Sequence, residues 1–328
     1  MRILLTPNLP RTVRALAGEL VPPGCSLEIR AASHPDHDRA LAGAECLMGL
    51  PRARIDEAFL ARAPRLALIQ LLRAGHERVD LAAARRAGIR VATVGDATSD
   101  AVAEHCLMLM LALARKLRAQ HDAVVGGGWH AVKPWQLPSG DVDSVPEVVF
   151  DGLGGRTLGI LGLGQIGTRV ARLARAFGMA VQGLARRPGE AERGGVPLVP
   201  LATLLATSDV ISLHLRLSPD TARILNAEAL AAMRPGAVLI NTARGELVDE
   251  DALVAALARG QLAGAALDTL QQEPPRPDHP LLARPDVLLT PHTAWLTRDS
   301  WRRVLAFGFA NVERFRAGQP LMSSVGDA

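Results

Sequence analysis

The chain has 328 residues, with 37 basic against 33 acidic side chains and a formal charge of +4. At roughly 100–200 residues per domain that length suits two domains, and 48% apolar with 21% charged residues excludes a largely disordered chain. The basic side chains are almost all Arg (Lys116 and Lys133 are the only lysines) and form no run, so the positive balance does not read as a nucleic-acid surface.

The expected elements alternate between short β-rich runs and helical patterns, the mark of parallel sheets covered by helices. Strands are expected at Arg2–Thr6, Ser26–Arg30, Cys46–Gly49, Leu66–Leu72 and Arg90–Thr93, with a helix at Asp80–Ala87 closed by Gly88. Ala101–Leu117 reads as one long apolar helix able to join two lobes. Val125 to Gly155 is rich in Gly and Pro and reads as a lid, an interface arm or a disordered stretch. A second series follows, with strands at Thr157–Leu161, Ala180–Leu184, Val210–Leu215, Ala237–Asn241, Gly264–Asp268 and Val287–Thr290, and a last helix at Arg298–Arg316.

Cys25, Cys46 and Cys106 stand far apart without metal-ligand spacing, which fits a reducing compartment. The His34–Asp38 segment, HPDHD, lacks the spacing of a metal site and reads as a solvated loop. The N-terminal apolar run is too short for a signal peptide. The longest apolar segment, Cys106–Ala114, is far below the ~20 residues that span a bilayer. A cytoplasmic protein with no membrane, metal or nucleic-acid partner is expected.

The most specific local motif is Thr157–Gly167, TLGILGLGQIG, in which a strand runs into Gly162-x-Gly164-x-x-Gly167 and then a helix. The first glycine allows a tight turn, the second lets backbone approach a pyrophosphate, and the third lets helix and strand sit close. Gln165 and Ile166, between the last two glycines, are further candidate cofactor contacts, as is Thr242 after a later strand. A carboxylate about 20 residues past the glycines would bind ribose hydroxyls. Ala185 stands there instead, followed by Arg186 and Arg187, whose guanidiniums suit a 2′-phosphate. The expected cofactor is NADP(H) in preference to NAD(H).

Three more segments end expected strands, where open α/β sheets bind ligands. NTARGELVD presents Arg244, ALDTLQQEP carries Asp268 and Glu273, and LTPHTAW places His292 after a proline. Each alone has a structural reading, Arg at a surface turn, Glu beside a proline and His capping the following helix; together they suit adding a proton to a carbonyl that takes up a hydride. An imidazole at His292 can pass a proton to the developing alkoxide. Glu273 on the other ring nitrogen fixes the tautomer and favours the protonated ring. Arg244 can grip a carboxylate with two N–H bonds and polarise the ketone.

With these blocks, and with LIQLLRAGHERVDL, DAVAEHCLMLMLALAR, SDVISLHLRLSPDTARIL and MRPGAVLINTARGELVDEDAL, the chain resembles the D-isomer-specific 2-hydroxyacid dehydrogenases over nearly its whole length. The feel is that of the glyoxylate/hydroxypyruvate reductase type. The resemblance implies two Rossmann-like lobes with parallel sheets. A substrate lobe would comprise 1–100 and 295–328, and a dinucleotide lobe 101–294, with pairing into a homodimer through the latter. It implies Arg244, Glu273 and His292 as catalytic residues and Asp268 near the nicotinamide carboxamide. Ala74 and Gly75 would hold the substrate carboxylate on backbone amides.

Departures from the family pattern are Arg216 where a proline is common, His76 beside the carboxylate loop, and Trp129, Lys133 and Trp135 in the Gly-rich segment. For Trp135 two readings stand, the border of a neighbouring subunit's substrate pocket and an ordinary dimer-interface anchor. Two other readings share the fold: a dinucleotide-sensing protein of corepressor type, and a phosphite-type dehydrogenase with the same three residues.

Overall fold

The computed structural model describes residues 1–6, 9–50, 53–129, 150–187 and 189–326. It divides into two compact units, Met1–Thr98 with Leu296–Ala328, and Ser99–Trp295. Lys133 and Trp135 lie outside the described residues.

The first unit is a six-stranded sheet in the order Ser324–Val325, Arg90–Ala92, Leu68–Leu71, Cys46–Gly49, Arg2–Thr6, Ser26–Ile29. All neighbours are parallel except Ser324–Val325, which runs antiparallel beside Arg90–Ala92. Leu4, Leu47, Ile69, Leu71 and Val91 pack one apolar core with Leu41, Phe59 and Ala84. The helix Arg298–Arg316 brings the chain end back to this sheet. Its Gly308 is the reason it can sit close: a Cβ there would meet Met48, Gln70 and Leu72 at 3.2–3.3 Å.

Gln70, fully buried, is the polar tie between strand and helix. Its Nε2 donates to the carbonyls of Leu71 and Thr93, and its Oε1 accepts from Asn311 Nδ2 at 2.7 Å. Asn311 Nδ2 also donates to Met322 O, and its Oδ1 accepts from Met322 N–H. A satisfied polar pair of this kind costs little when made, and about 1–3 kcal/mol when one partner is deleted.

The second unit is an eight-stranded sheet in the order Val287–Leu289, Leu262–Leu267, Ala237–Asn241, Val210–Leu213, Thr157–Leu161, Ala180–Leu184, Val196–Val199, Glu192–Arg193. Every pair is parallel except the last. After Thr157–Leu161 the chain winds outward to Val196–Val199 and then returns to Val210–Leu213 on the other side. That reversal opens a crevice at the C-terminal ends of the two central strands, where such sheets take ligands.

Period-two alternation supplies both faces of this sheet. Leu161, Ile211, Leu213 and Leu239 enter one apolar cluster with the helices Leu201–Thr207 and Glu250–Ala258. Leu158, Ile160, Val210 and Ile240 enter the other with Ser99–Ala114 and Gln165–Ala176.

The long apolar helix ends at Ala114 rather than Leu117, and Leu117–Val125 is a separate helix. Lys116 takes the left-handed region, φ 48°, and Asp151 N–H donates to Ala114 O. A hydrogen bond from a distant residue ends the helix, so no Gly or Pro announces the break. Three strands at the sheet margins were not expected. Val196–Val199 contains Pro197, which argues against a strand except near an edge. Glu192–Arg193 and Ser324–Val325 are two residues each, too few for a pattern. Among the described residues no helix is long and apolar enough to cross a membrane.

Burial raises the Cys46 thiol far above its ordinary range and pushes Cys106 up to about 12, while Cys25 is partly exposed. A thiol-disulfide reagent at neutral pH is therefore expected to label Cys25 alone in the native protein and all three cysteines in denaturant. Rapid native labelling of Cys106 would show this core to be looser than described.

Candidate active site

The strand Thr157–Leu161 ends in Gly162 at φ 109°, where a Cβ would come within 2.7 Å of the His214 backbone. At Gly167 a Cβ would lie 2.1 Å from Gly162 O, so only glycine lets the helix Gln165–Ala176 start this close to the strand. Gly164 is different: a Cβ there would meet nothing within 4 Å. It caps the helix with no side chain, leaving the amides of the first turn, including those of Gln165, Ile166 and Gly167, without a side-chain cap. A bare, open helix N-terminus beside a glycine turn fits a pyrophosphate.

At the next strand end, Arg186 and Arg187 are exposed and have no ion-pair partner among the described residues. Arg216 is also exposed. His214 follows Val210–Leu213, its N–H donating to Leu161 O and its Nε2 2.9 Å from Ser212 Oγ. Its Nδ1 is buried without a partner among the described residues, and burial pushes its pKa down to about 4. Sequence reading passed over this histidine, since one His in HLRL carries no pattern of its own.

Arg244, Glu273 and His292 follow three adjacent strands, Ala237–Asn241, Leu262–Leu267 and Val287–Leu289, at the same end of the sheet as the glycine turn. Asn241, 1% exposed, shapes the first of these loops. Its Nδ2 donates to Arg244 O and its Oδ1 accepts from Ala243 N–H. Arg244 Nη1 donates to Ala243 O at 2.7 Å. Thr242 turns its hydroxyl to Cys106 Sγ at 3.0 Å. Gly245 brings the first loop against the second, for a Cβ there would lie 2.0 Å from the Leu270 backbone.

In the second loop Glu273 Oε1 accepts from Leu270 N–H at 3.2 Å, and Glu273 Oε2 lies 2.8 Å from His292 Nδ1. A carboxylate only accepts, so Nδ1 carries the proton of this bond and Nε2 is the ring atom left for chemistry. Both side chains are about two-fifths exposed. Such a pair contributes little stability; what it supplies is orientation.

Asp268 is the buried centre of the third loop. Its Oδ1 accepts from Thr290 Oγ1 at 2.6 Å and Thr293 N–H at 2.8 Å, and its Oδ2 from Ala294 N–H at 2.9 Å. Its backbone carbonyl accepts from His292 N–H at 2.8 Å. His292 sits at φ 56°, a left-handed conformation that a non-glycine residue keeps only when its surroundings hold it. The carboxylate is 2% exposed and largely occupied by this turn, so its first task is to shape the backbone around His292.

In the other unit, Ala74 and Gly75 follow Leu68–Leu71, Ala74 exposed and Gly75 and His76 partly so. In the HPDHD segment Asp38 pairs with Arg62, and His34 Nδ1 accepts from Asp36 N–H. Among the described residues no group of three or more His, Cys, Asp or Glu is placed to hold a metal ion.

Residues 107–294, more than half of the chain, match the family described as D-isomer specific 2-hydroxyacid dehydrogenase, NAD binding domain. The chain belongs to this dehydrogenase family. It is 38% identical to the glyoxylate reductase of Aeropyrum pernix over 84% of this chain and 81% of that one. It is 37% identical to the glycerate dehydrogenase of Methylorubrum extorquens over 85% of each. A solved structure from Thermus thermophilus is 38% identical, with a TM-score of 0.82 over 99% of this chain and all of the other. This dehydrogenase is thus an oxidoreductase with a nicotinamide-dinucleotide-binding domain.

Burial lowers the pKa of His214, and also those of His37 and His105, below the ordinary 6.5. Unfolded histidines then bind protons that the folded ones refuse, so these groups make stability rise with pH through that window. Stability is expected to be lost as pH falls from about 6.5 toward 4. Urea midpoints measured at pH 7 and pH 4.5 test this, and His214→Gln is expected to narrow the difference. An unchanged gap in that variant would remove His214 from the account.

Proposed function

We propose that this dehydrogenase reduces small 2-keto acids of the glyoxylate and hydroxypyruvate kind to D-2-hydroxy acids, with NADP(H) preferred over NAD(H). The observation that carries the reading is the His292 Nδ1–Glu273 Oε2 hydrogen bond of 2.8 Å, at the same sheet end as the open glycine turn. Relatives named glyoxylate reductase and glycerate dehydrogenase support the substrate class.

A bound dinucleotide would supply the hydride for the carbonyl carbon, and Gly162, Gly164 and Gly167, with the amides of Gln165 and Ile166, would hold its pyrophosphate. Thr242 and Asp268 act through the backbone of the Arg244 and His292 loops. Arg244 binds the substrate carboxylate through its guanidinium and polarises the ketone. His292 Nε2 gives its proton to the developing alkoxide oxygen while Glu273 holds the ring at Nδ1, so each turnover adds one hydride and one proton to the keto acid.

The NADP(H) preference rests on Ala185 at the tip of its strand and on the exposed Arg186 and Arg187, which have no ion-pair partner among the described residues. Nicotinamide absorbance followed against a panel of 2-keto acids is the test. kcat/KM with NADPH is expected to exceed that with NADH by about tenfold or more, roughly 1.4 kcal/mol, and Arg186→Ala with Arg187→Ala to erase the difference. Arg244→Ala and His292→Ala are each expected to lower kcat/KM by at least about 100-fold. Full activity in both variants would overturn the assignment.

We also propose a homodimer joined through the dinucleotide-binding unit. Support comes from an apolar groove of about 510 Å³ lined by Leu107, Met108, Leu111, Leu173 and Phe177. Met108 and Phe177 are each 47% exposed beside it, and a second copy would cover these apolar side chains. Light scattering is expected to give twice the chain mass, and Met108→Glu with Phe177→Glu the single mass. A wild-type monomer at micromolar concentration would sink this part.

A further inference from the structure

The helix Ser99–Ala114 is apolar along most of its buried length, yet two consecutive residues in its middle turn polar atoms to the sheet. His105 Nε2 lies 3.1 Å from Thr290 Oγ1 and 3.8 Å from Asp268 Oδ1. Cys106 Sγ lies 3.0 Å from Thr242 Oγ1. Both threonines occupy the same relative place: Thr290 is two residues before His292, and Thr242 is two residues before Arg244.

The donors in the first contact follow from valence. Thr290 has one hydroxyl proton, and it lies in the 2.6 Å bond to Asp268 Oδ1, because a carboxylate only accepts. His105 must therefore donate from Nε2 to Thr290. Burial keeps the His105 ring on the neutral side despite the carboxylate nearby. The result is a chain, His105 to Thr290 to Asp268, ending on the carboxylate that shapes the His292 turn. Cys106 is fully buried, and its raised pKa keeps it a thiol, so its link to Thr242 is a neutral hydrogen bond within reach of either proton.

We infer that His105 and Cys106 are positioning residues that act as a pair, one rigid helix setting the register of the His292 turn and of the Arg244 loop for the reaction proposed above. Neither touches substrate; each works through its threonine. Adjacent residues on one helix are held at a fixed spacing by the backbone, so the two loops inherit that spacing. The inference rests on the proposed reductase reading, and the two fail in different ways.

The test compares four variants. His105→Leu is close in volume and Cys106→Val somewhat larger, and both remove the polar link; His105→Asn and Cys106→Ser retain a side chain able to hydrogen-bond. If the inference holds, His105→Leu lowers kcat by about tenfold with the keto-acid KM little changed, because His292 acts on the transition state. Cys106→Val raises the keto-acid KM by about fivefold with a smaller effect on kcat, because Arg244 grips the carboxylate already in the bound substrate. Each conservative variant recovers most of its loss. A purely structural role would instead lower the melting temperature and scale apparent kcat with the folded fraction at unchanged KM, so kcat is taken per folded enzyme. Kinetics within twofold of wild type in both apolar variants, or a loss that follows the folded fraction alone, overturns the inference. If wild type reduces no keto acid, the reductase reading fails by itself. The pair is then read from ¹⁵N-histidine spectra, where His105 should stay the neutral Nε2–H tautomer and His105→Leu should shift the His292 ring signals. Unmoved His292 signals overturn it there as well.

Discussion

One buried carboxylate organises the chemistry of this dehydrogenase. Asp268 stands at the end of Leu262–Leu267 with almost no solvent, and an isolated charge in that place would be costly. It is kept by the donors that converge on it, the Thr290 hydroxyl and the amides of Thr293 and Ala294. Those donors belong to the segment that carries His292. The need to satisfy the charge therefore folds the turn, and the turn holds the histidine in a conformation it would not adopt alone.

The rest of the site follows from where parallel strands end. Because the strands that carry them run parallel, their following loops all lie at one end of the sheet, so Gly162, Arg244, Glu273 and His292 arrive there together although more than a hundred residues separate the first from the last. Convergence also needs backbones that touch. Gly167 against Gly162 and Gly245 against Leu270 are two contacts that tolerate no side chain, one closing the phosphate cradle and the other bringing the arginine loop to the glutamate loop. The proposed catalytic groups can then remain partly exposed, as Glu273 and His292 are, while their supports lie inside.

Much of this was legible in the chain itself. The alternation of short β runs with helical patterns located the central strands of both sheets to within two residues at either end. GxGxxG between strand and helix marked the cradle, and the Arg, Glu and His residues each stood just past a strand. These signals are local: a strand's period, a turn's glycines and a residue's distance from a strand end are all set by neighbours in sequence. The break after Ala114 was invisible because its hydrogen-bond partner is Asp151. The marginal strands were hidden too, Val196–Val199 by its proline and the two-residue edges because two residues have no period. Asp268 was legible as a site residue, but its role as the anchor of the His292 turn was not, since the donors to its carboxylate lie more than twenty residues on.

By itself the sequence determined the fold class and located the glycine turn and the candidate reacting side chains, because propensity, periodicity and functional-group chemistry are properties of short stretches. Only the tertiary structure decided how those side chains are aimed. The 2.8 Å bond from His292 to Glu273, the left-handed turn at His292, and the link of His105 and Cys106 to two threonines all join segments far apart along the chain. Their geometry is settled when helices and strands pack and buried polar atoms must find partners.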